Sequence, residues 1–152
     1  MARKLKVYLD TSVISALFDK RNPERQRITQ NFFMNQDKFE IYVSRLTLKE
    51  ISDAHSPRLR KRMQQLVSKY TYLKESEDVE ILANEYIRHG AIPKENKSDA
   101  EHIAFAVLRK IEYLLSWNFQ HILRKRTREI VSAINSLKNL TQIDILTPGE
   151  IL

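Results

Sequence analysis

The stretch Leu5-Lys6-Val7-Tyr8-Leu9-Asp10-Thr11-Ser12 is the most informative feature of this chain. Its apolar, β-branched part predicts a buried strand over residues 5–9, and Asp10 follows where that strand ends. Because open α/β sheets bind ligands outside the carboxyl ends of their strands, Asp10 is a candidate functional residue. An aspartate at a strand-to-helix turn is also a good helix N-cap, so both interpretations stay open on this stretch alone.

The composition is typical of one globular domain. The chain has 152 residues, which predicts a single domain over residues 1–152. No apolar run approaches the length of a membrane span, and the first residues lead into a strand without the apolar region of a signal peptide. The absence of cysteine excludes disulfides, thiolate metal ligands and thiol nucleophiles. We therefore expect a cytoplasmic protein with no membrane association.

The charge and the glycine content limit the classes of partner. The formal net charge of +7 favours a polyanionic partner such as a nucleic acid. With only two glycines, Gly90 and Gly149, the chain cannot form the Gly-rich phosphate loops of dinucleotide-binding or Walker-type proteins. Any phosphate group must therefore be bound in another way.

Predicted strands alternate with predicted helices along the chain. The strands are expected at residues 5–9, 39–43, 112–116 and 143–146. The helices are expected at residues 13–18, from Pro23 onward, after Ser44, at 58–69, at 75–88, from Ser98 onward and at 122–137. This alternation predicts a three-layer α/β/α fold with a central, mainly parallel sheet covered on both faces.

Three acidic residues and one amide lie where an element begins or ends. Asp10 ends the first strand, Glu50 lies on the helix after the second strand, and Asp99 lies in the first turn of a later helix. Asn118 follows the strand that ends at Ser116. If the fold brings these side chains together, their oxygen atoms suit a hard divalent cation such as Mg²⁺ or Mn²⁺.

Each of these residues also has a structural interpretation. An acidic side chain in a first helical turn is favoured by the helix dipole, and Ser98 with Glu101 matches a capping box. Glu50 fits an ordinary solvated helix face. His102 and His121 could be ligands, but single histidines beside Ala and Ile are more often structural.

Four stretches together resemble the PIN domain, and most closely its VapC-like branch. They are V-Y-L-D-T-S-V-I at 7–14, S-R-L-T-L-K-E-I at 44–51, S-D-A-E-H-I-A-F-A at 98–106 and Y-L-L-S-W-N-F-Q-H-I at 113–122. The closing T-P-G-E-I-L, 147–152, is also similar to the end of that branch. The resemblance covers about Leu5 to Leu152 in the family's order.

The resemblance implies a metal-dependent ribonuclease that uses Mg²⁺ or Mn²⁺. Asp10, Glu50 and Asp99 match the family's first three acids and are the implied metal ligands. The fourth acidic position falls at Asn118, which departs from the four-acid form and can weaken the binding of a second metal ion. Thr11 or Ser12 would supply the hydroxyl that positions a water or an acid beside the metal.

Partners are implied by the same resemblance. RNA is the expected substrate, with Arg45, Arg124, Lys125 and Arg126 as candidate phosphate contacts. VapC-like proteins are commonly homodimers and are often inhibited by an antitoxin protein. The chain is therefore expected to be the toxin of a toxin-antitoxin system or a toxin-like relative.

Two alternatives remain. An aspartyl phosphatase would also place an Asp at the end of the first strand, but it usually needs a second Asp where this chain has Ser12, and it leaves Glu50 and Asp99 unexplained. A catalytically weak PIN-like module that binds RNA or a protein is the other alternative. The missing carboxylate at Asn118 is the feature that favours it.

Overall fold

A computed structural model describes residues 3–152. Five parallel strands form one sheet in the order β3-β2-β1-β4-β5. The strands are β1 (Leu5–Leu9), β2 (Phe39–Ser44), β3 (Thr71–Leu73), β4 (Tyr113–Leu115) and β5 (Asp144–Leu146). The helices are α1 (Thr11–Leu17), α2 (Pro23–Met34), α3 (Arg45–Ser52), α4 (Pro57–Val67), α5 (Glu77–Arg88), α6 (Lys97–Leu108) and α7 (Lys125–Leu137), with short 3-10 turns at Gln36–Lys38 and Lys94–Asn96.

The centre of the sheet is β1, which is buried on both faces. Val7, Tyr8 and Leu9 are all 0% exposed. Val7 and Leu9 belong to one hydrophobic core that also contains Phe32 of α2, whereas Tyr8 belongs to a second core formed largely by α5, α6 and α7. The sheet therefore separates two apolar layers, as the predicted α/β/α fold requires.

The connections reverse direction at β1. The chain first adds β2 and β3 on one side of β1, and later adds β4 and β5 on the other side. A topological switch point of this kind opens a crevice at the carboxyl ends of the two central strands. The crevice lies where Leu9 and Leu115, paired across β1 and β4, are followed by Asp10 and Ser116.

Some predicted element boundaries were wrong. The edge strand β3 was not predicted, because three residues are too few to show a period of two. The final helix starts at Lys125 rather than at Ile122, since Ile122 and Leu123 are buried in a loop in which the Leu123 N–H donates to the Asn118 carbonyl.

The predicted capping box of Ser98 and Glu101 was also wrong. Helix α6 begins at Lys97, one residue before Ser98, and Asn96 occupies the N-cap position. A preceding 3-10 turn, Lys94–Asn96, continues into the helix and so moves its start.

Between Arg3 and Leu152, no helix combines the length and the apolar character needed to cross a bilayer.

Candidate active site

Asp10 is held rigidly at the carboxyl end of β1. Its side chain is almost completely buried, and Oδ2 accepts hydrogen bonds from Ser12 Oγ at 2.6 Å and Ser116 Oγ at 2.9 Å. Asp10 occupies the N-cap position of α1, yet its side chain makes no capping hydrogen bond. The carboxylate is therefore oriented toward the crevice by two serines rather than used to cap the helix.

The two serines connect Asp10 to the end of β4. Ser12 Oγ accepts a hydrogen bond from the Trp117 backbone N–H at 2.9 Å, and Ser116 Oγ accepts one from the Asn118 backbone N–H at 2.9 Å. Each hydroxyl thus accepts from the backbone and donates to Asp10. Sequence analysis did not single out Ser116, because one serine at a strand end carries no distinctive signal.

Asp99 lies in the first turn of α6 and accepts two hydrogen bonds on one oxygen. Its Oδ2 accepts from Asn118 Nδ2 at 3.2 Å and lies 3.0 Å from His121 Nδ1. Burial and the negative charge of Asp10 raise the pKa of Asp99 above its usual value, although the two nearby histidines oppose this shift. Asp10 and Asp99 therefore face a common space as two carboxylates that repel each other.

Asn118 orients Asp99. While Nδ2 donates to Asp99, its amide oxygen accepts the backbone N–H of His121 at 2.9 Å. In this arrangement the nitrogen side of the amide faces the acidic site. Asn118 thus contributes a hydrogen-bond donor at the predicted fourth acidic position.

Glu50 projects from α3 and is bound by two neighbours. Its Oε1 accepts a hydrogen bond from Thr11 Oγ1 at 2.6 Å and lies 2.6 Å from His102 Nε2. Burial would raise the pKa of Glu50, but the hydrogen bonds and charge of His102, with the Thr11 hydrogen bond, lower it below the usual value. Glu50 is therefore ionised at neutral pH. The two predicted hydroxyls have separate partners, Thr11 with Glu50 and Ser12 with Asp10.

His102 is the site residue that sequence analysis interpreted as structural. The ring is 0% exposed, and Nδ1 lies 2.6 Å from the Tyr8 hydroxyl, which in turn lies 2.8 Å from Ser44 Oγ. Burial would lower the pKa of His102, but Tyr8, Glu50 and Asp10 raise it well above the usual value. The spacing of Asp99 and His102, three residues apart on one helix, is the signal that could have placed both at the same site.

A hard divalent cation requires several oxygen ligands grouped around one point. Within residues 3–152, no group of three or more His, Asp or Glu side chains is arranged as a metal-binding cluster. Glu50 is satisfied by His102 and Thr11, whereas Asp10 and Asp99 repel each other across a shared space. Two carboxylates fit a hard cation that keeps several water ligands, as Mg²⁺ does. Asp10 and Asp99 would therefore be the ligands of one such ion, and Glu50 contacts the same His102 nitrogen that lies 3.4 Å from Asp10.

A cavity of about 580 Å³ adjoins this site on the Glu50 side. Thr11 and Glu50 form part of its wall, and Ile51 and Met63 contribute apolar surface. Lys20, Arg21 and His55 add polar and basic groups to the lining. The cavity therefore gives a ligand room to lie next to Glu50.

The four candidate phosphate contacts occupy different environments. Arg45 is exposed at the start of α3, and Lys125 lies 3.6 Å from Glu129 on α7. Arg124 is half-buried and its Nη2 donates to the Ala91 carbonyl at 3.3 Å, while Arg126 lies beside Gly90. These contacts assign Arg124 a structural role. Arg45 keeps its side chain in solvent.

Comparison with known proteins gives matches to solved structures. Neither a family model nor a curated protein matches the sequence. VapC20 of Mycobacterium tuberculosis, a toxin that cleaves the sarcin-ricin loop, matches with a TM-score of 0.61 and 16% identity over 75% of this chain and 91% of that chain. VapBC2 of Rickettsia felis, bound to a DNA fragment from its promoter, matches with a TM-score of 0.58 and 12% identity over 93% of this chain and 97% of that chain. These likenesses and the α/β/α sheet order agree with the sequence motifs, and the chain has the PIN-domain fold of VapC-like proteins.

Proposed function

We propose that this chain is a metal-dependent endoribonuclease that hydrolyses RNA phosphodiester bonds. The observation that carries the proposal is a pair of carboxylates, the buried Asp10 and the partly buried Asp99, held toward one space at the carboxyl edge of the sheet, where Asp10 raises the pKa of Asp99. Two neighbouring carboxylates repel each other and lower the stability of the fold, so such pairs cluster at functional sites. Asp10 and Asp99 would repel each other less if both held a divalent cation.

The residues of the site have separate roles in this mechanism. Asp10 and Asp99 would hold Mg²⁺ or Mn²⁺, with Ser12 and Ser116 orienting Asp10 and Asn118 orienting Asp99. When bound, the ion supplies Lewis acidity toward the phosphoryl oxygen and lowers the pKa of its water. Glu50 is ionised and bound through Oε1 only, so its Oε2 orients the attacking water.

Three observations support RNA as the substrate and a toxin-like role. The net charge of +7 favours a polyanion. VapC20, which has the same fold, cleaves an RNA loop, and VapBC2 is a toxin-antitoxin complex. By analogy, we propose that this chain is the toxin or a toxin-like member of such a system, forms a homodimer and is inhibited by an antitoxin in the cytoplasm.

The test is cleavage of a mixed RNA pool by purified protein with Mg²⁺, Mn²⁺ or EDTA. Asp10→Asn and Asp99→Asn should each abolish the metal-dependent cuts. Asp37→Asn is the matched control, because Asp37 is exposed in the turn before β2, at the opposite end of the strands. If folded protein cuts nothing in any metal, or if both site variants cut like the parent, the nuclease proposal is wrong.

A catalytically weak RNA- or protein-binding module is the second candidate, and the environment of Asn118 favours it. An amide that donates to Asp99 neutralises part of the charge that would attract a second metal ion. The same RNA pool separates the two candidates. Retention of RNA by the parent and by Asp10→Asn, without cleavage by either, would support the binding module.

A further inference from the structure

An aromatic surface lies directly beside the acidic site. Phe119 follows Asn118 in the loop after β4 and is 56% exposed, the most exposed aromatic side chain among residues 3–152. Its ring centroid lies 6.2 Å from that of Trp117 at an angle of 51°. Isolated exposed apolar residues need no explanation, but an exposed ring next to a second aromatic and a candidate active site forms a platform.

The platform is held in a fixed position. Trp117 Nε1 donates to Thr29 Oγ1 of α2 at 2.9 Å, which orients the indole. The guanidinium carbon of Arg25, also on α2, lies 5.0 Å from the Trp117 ring centroid and 5.8 Å from that of Phe119. Two aromatic rings and a cation are therefore grouped while more than half of Phe119 stays in solvent.

Short connections join the platform to the proposed catalytic residues. The Trp117 backbone N–H donates to Ser12 Oγ, which in turn donates to Asp10. Asn118, which lies between Trp117 and Phe119 in the sequence, donates to Asp99. Phe119 is therefore adjacent in the chain to Asn118, which contacts Asp99, and packs against Trp117, whose backbone is linked through Ser12 to Asp10.

We infer that Phe119, supported by Trp117 and Arg25, stacks on an unpaired base of the RNA next to the bond that is cut. The inference rests on the proposed function and adds that the substrate is single-stranded or has a flipped-out nucleotide at the cleavage site. Aromatic rings bind every base through its flat face, whereas bases inside a duplex are already stacked and do not reach the ring. Arg25 adds a positive charge that suits the adjoining phosphate.

The experiment measures RNA binding by fluorescence anisotropy in the Asp10→Asn background, so that cleavage plays no part. The probes are a labelled single-stranded RNA of mixed sequence and the same RNA annealed to its complement. A second series uses the parent chain in EDTA, so that the binding result does not depend on whether Asp10→Asn affects folding. Circular dichroism and thermal unfolding of every variant establish that it is folded.

Phe119→Ala should weaken binding of the single-stranded RNA about fivefold or more, because stacking of one base contributes about 1–3 kcal/mol. Phe119→Tyr, which keeps the ring, should restore it, and duplex binding should change little in either variant. Ile81→Ala on α5 is the matched control, because Ile81 is 53% exposed. Arg25→Gln should weaken binding more than Arg27→Gln, although each removes one charge from α2.

Photochemical cross-linking locates the contact independently. RNA that contains 4-thiouridine should cross-link to the tryptic peptide 111–124, which carries Trp117 and Phe119. Cross-links confined to other peptides would overturn the inference, as would an equal loss of single-stranded and duplex binding in Phe119→Ala. If Asp10→Asn abolishes cleavage while Phe119→Ala binds normally, only this inference fails. If Phe119→Ala loses single-stranded binding while no preparation cleaves RNA, only the nuclease proposal fails.

Discussion

His102 Nε2 lies 2.6 Å from Glu50 Oε1, and the same nitrogen lies 3.4 Å from Asp10 Oδ1. The imidazole is completely buried, so its charge is balanced by protein groups rather than by water. A buried cation between two carboxylates reduces their mutual repulsion. His102 therefore offsets the repulsion between Asp10 and Glu50, which both lie close to its Nε2.

Removal of His102 should destabilise the fold. His102→Ala leaves the Tyr8 hydroxyl and the Glu50 carboxylate short of a partner and creates a cavity beside β1. Each effect is destabilising, and together they should lower the free energy of unfolding by about 2–4 kcal/mol. Urea unfolding at pH 7 measures the change.

His89→Ala is the control for this variant. His89 is 49% exposed and pairs only with Glu85 on its own helix, so its loss should change the free energy of unfolding by less than about 0.5 kcal/mol. Equal stability of His102→Ala and the parent would contradict the assigned role of the buried network.

Asp99→Asn should stabilise the protein although it removes one of the proposed metal ligands. Burial and the charge of Asp10 disfavour the ionised form of Asp99, and an amide of the same shape avoids that cost. The gain should fall within the roughly 0.5–2 kcal/mol that a single favourable substitution gives. Urea unfolding of the two proteins without divalent metal measures it.

The stability gain of Asp99→Asn should depend on pH. Because the pKa of Asp99 is raised in the folded state, its stabilising contribution is present at low pH and is lost as pH rises through the folded pKa. The advantage of the asparagine variant should therefore grow as pH rises from the ordinary value of 3.8 toward neutrality. An advantage that is constant over this range would contradict the origin proposed for it.

The sheet and the central acid could be predicted from the sequence because they depend on local pattern. The segment Val7-Tyr8-Leu9 directly before Asp10 is apolar and fully buried, and such a run has few structural solutions. The three-residue strand β3 could not be predicted, since its pairing with β2 is a tertiary contact. The predicted start of α7 was wrong for a related reason, because Ile122 and Leu123 are buried by loop packing and not by a helix.

The site residues show the same difference between what local sequence pattern predicts and what tertiary contacts determine. Asp10, Glu50 and Asp99 could be proposed from their places next to strands and from the family resemblance. The contacts of His102 with Tyr8 and Glu50 join residues that lie 94 and 52 positions away in the sequence, which no local pattern reveals. The same limit applies to Arg124, whose sequence neighbours are basic but whose side chain binds the Ala91 carbonyl.

Arg124 and Arg45 should respond differently to substitution. Arg124→Gln removes a half-buried side chain that donates to Ala91, and should lower the free energy of unfolding by about 1 kcal/mol. Arg45→Gln should leave stability unchanged and weaken RNA binding, with the slope of log affinity against log salt reduced by about 1. Unfolding curves and salt titrations of RNA binding test both statements. A salt slope equal to that of the parent would show that Arg45 does not contact the RNA phosphates.

An acid at position 118 should make the stability of the fold depend more strongly on divalent metal. Asn118→Asp replaces the donor to Asp99 with a third carboxylate near Asp10, so it should lower the free energy of unfolding by about 1–3 kcal/mol in EDTA. Added Mn²⁺ should then raise its thermal unfolding temperature more than that of the parent, because a ligand at concentration c stabilises the folded state by RT ln(1 + c/Kd), which grows as the binding becomes tighter. Asn84→Asp on the exposed face of α5 is the control and should show neither effect. A variant as stable as the parent in EDTA, with no added response to Mn²⁺, would show that position 118 does not face the proposed metal site.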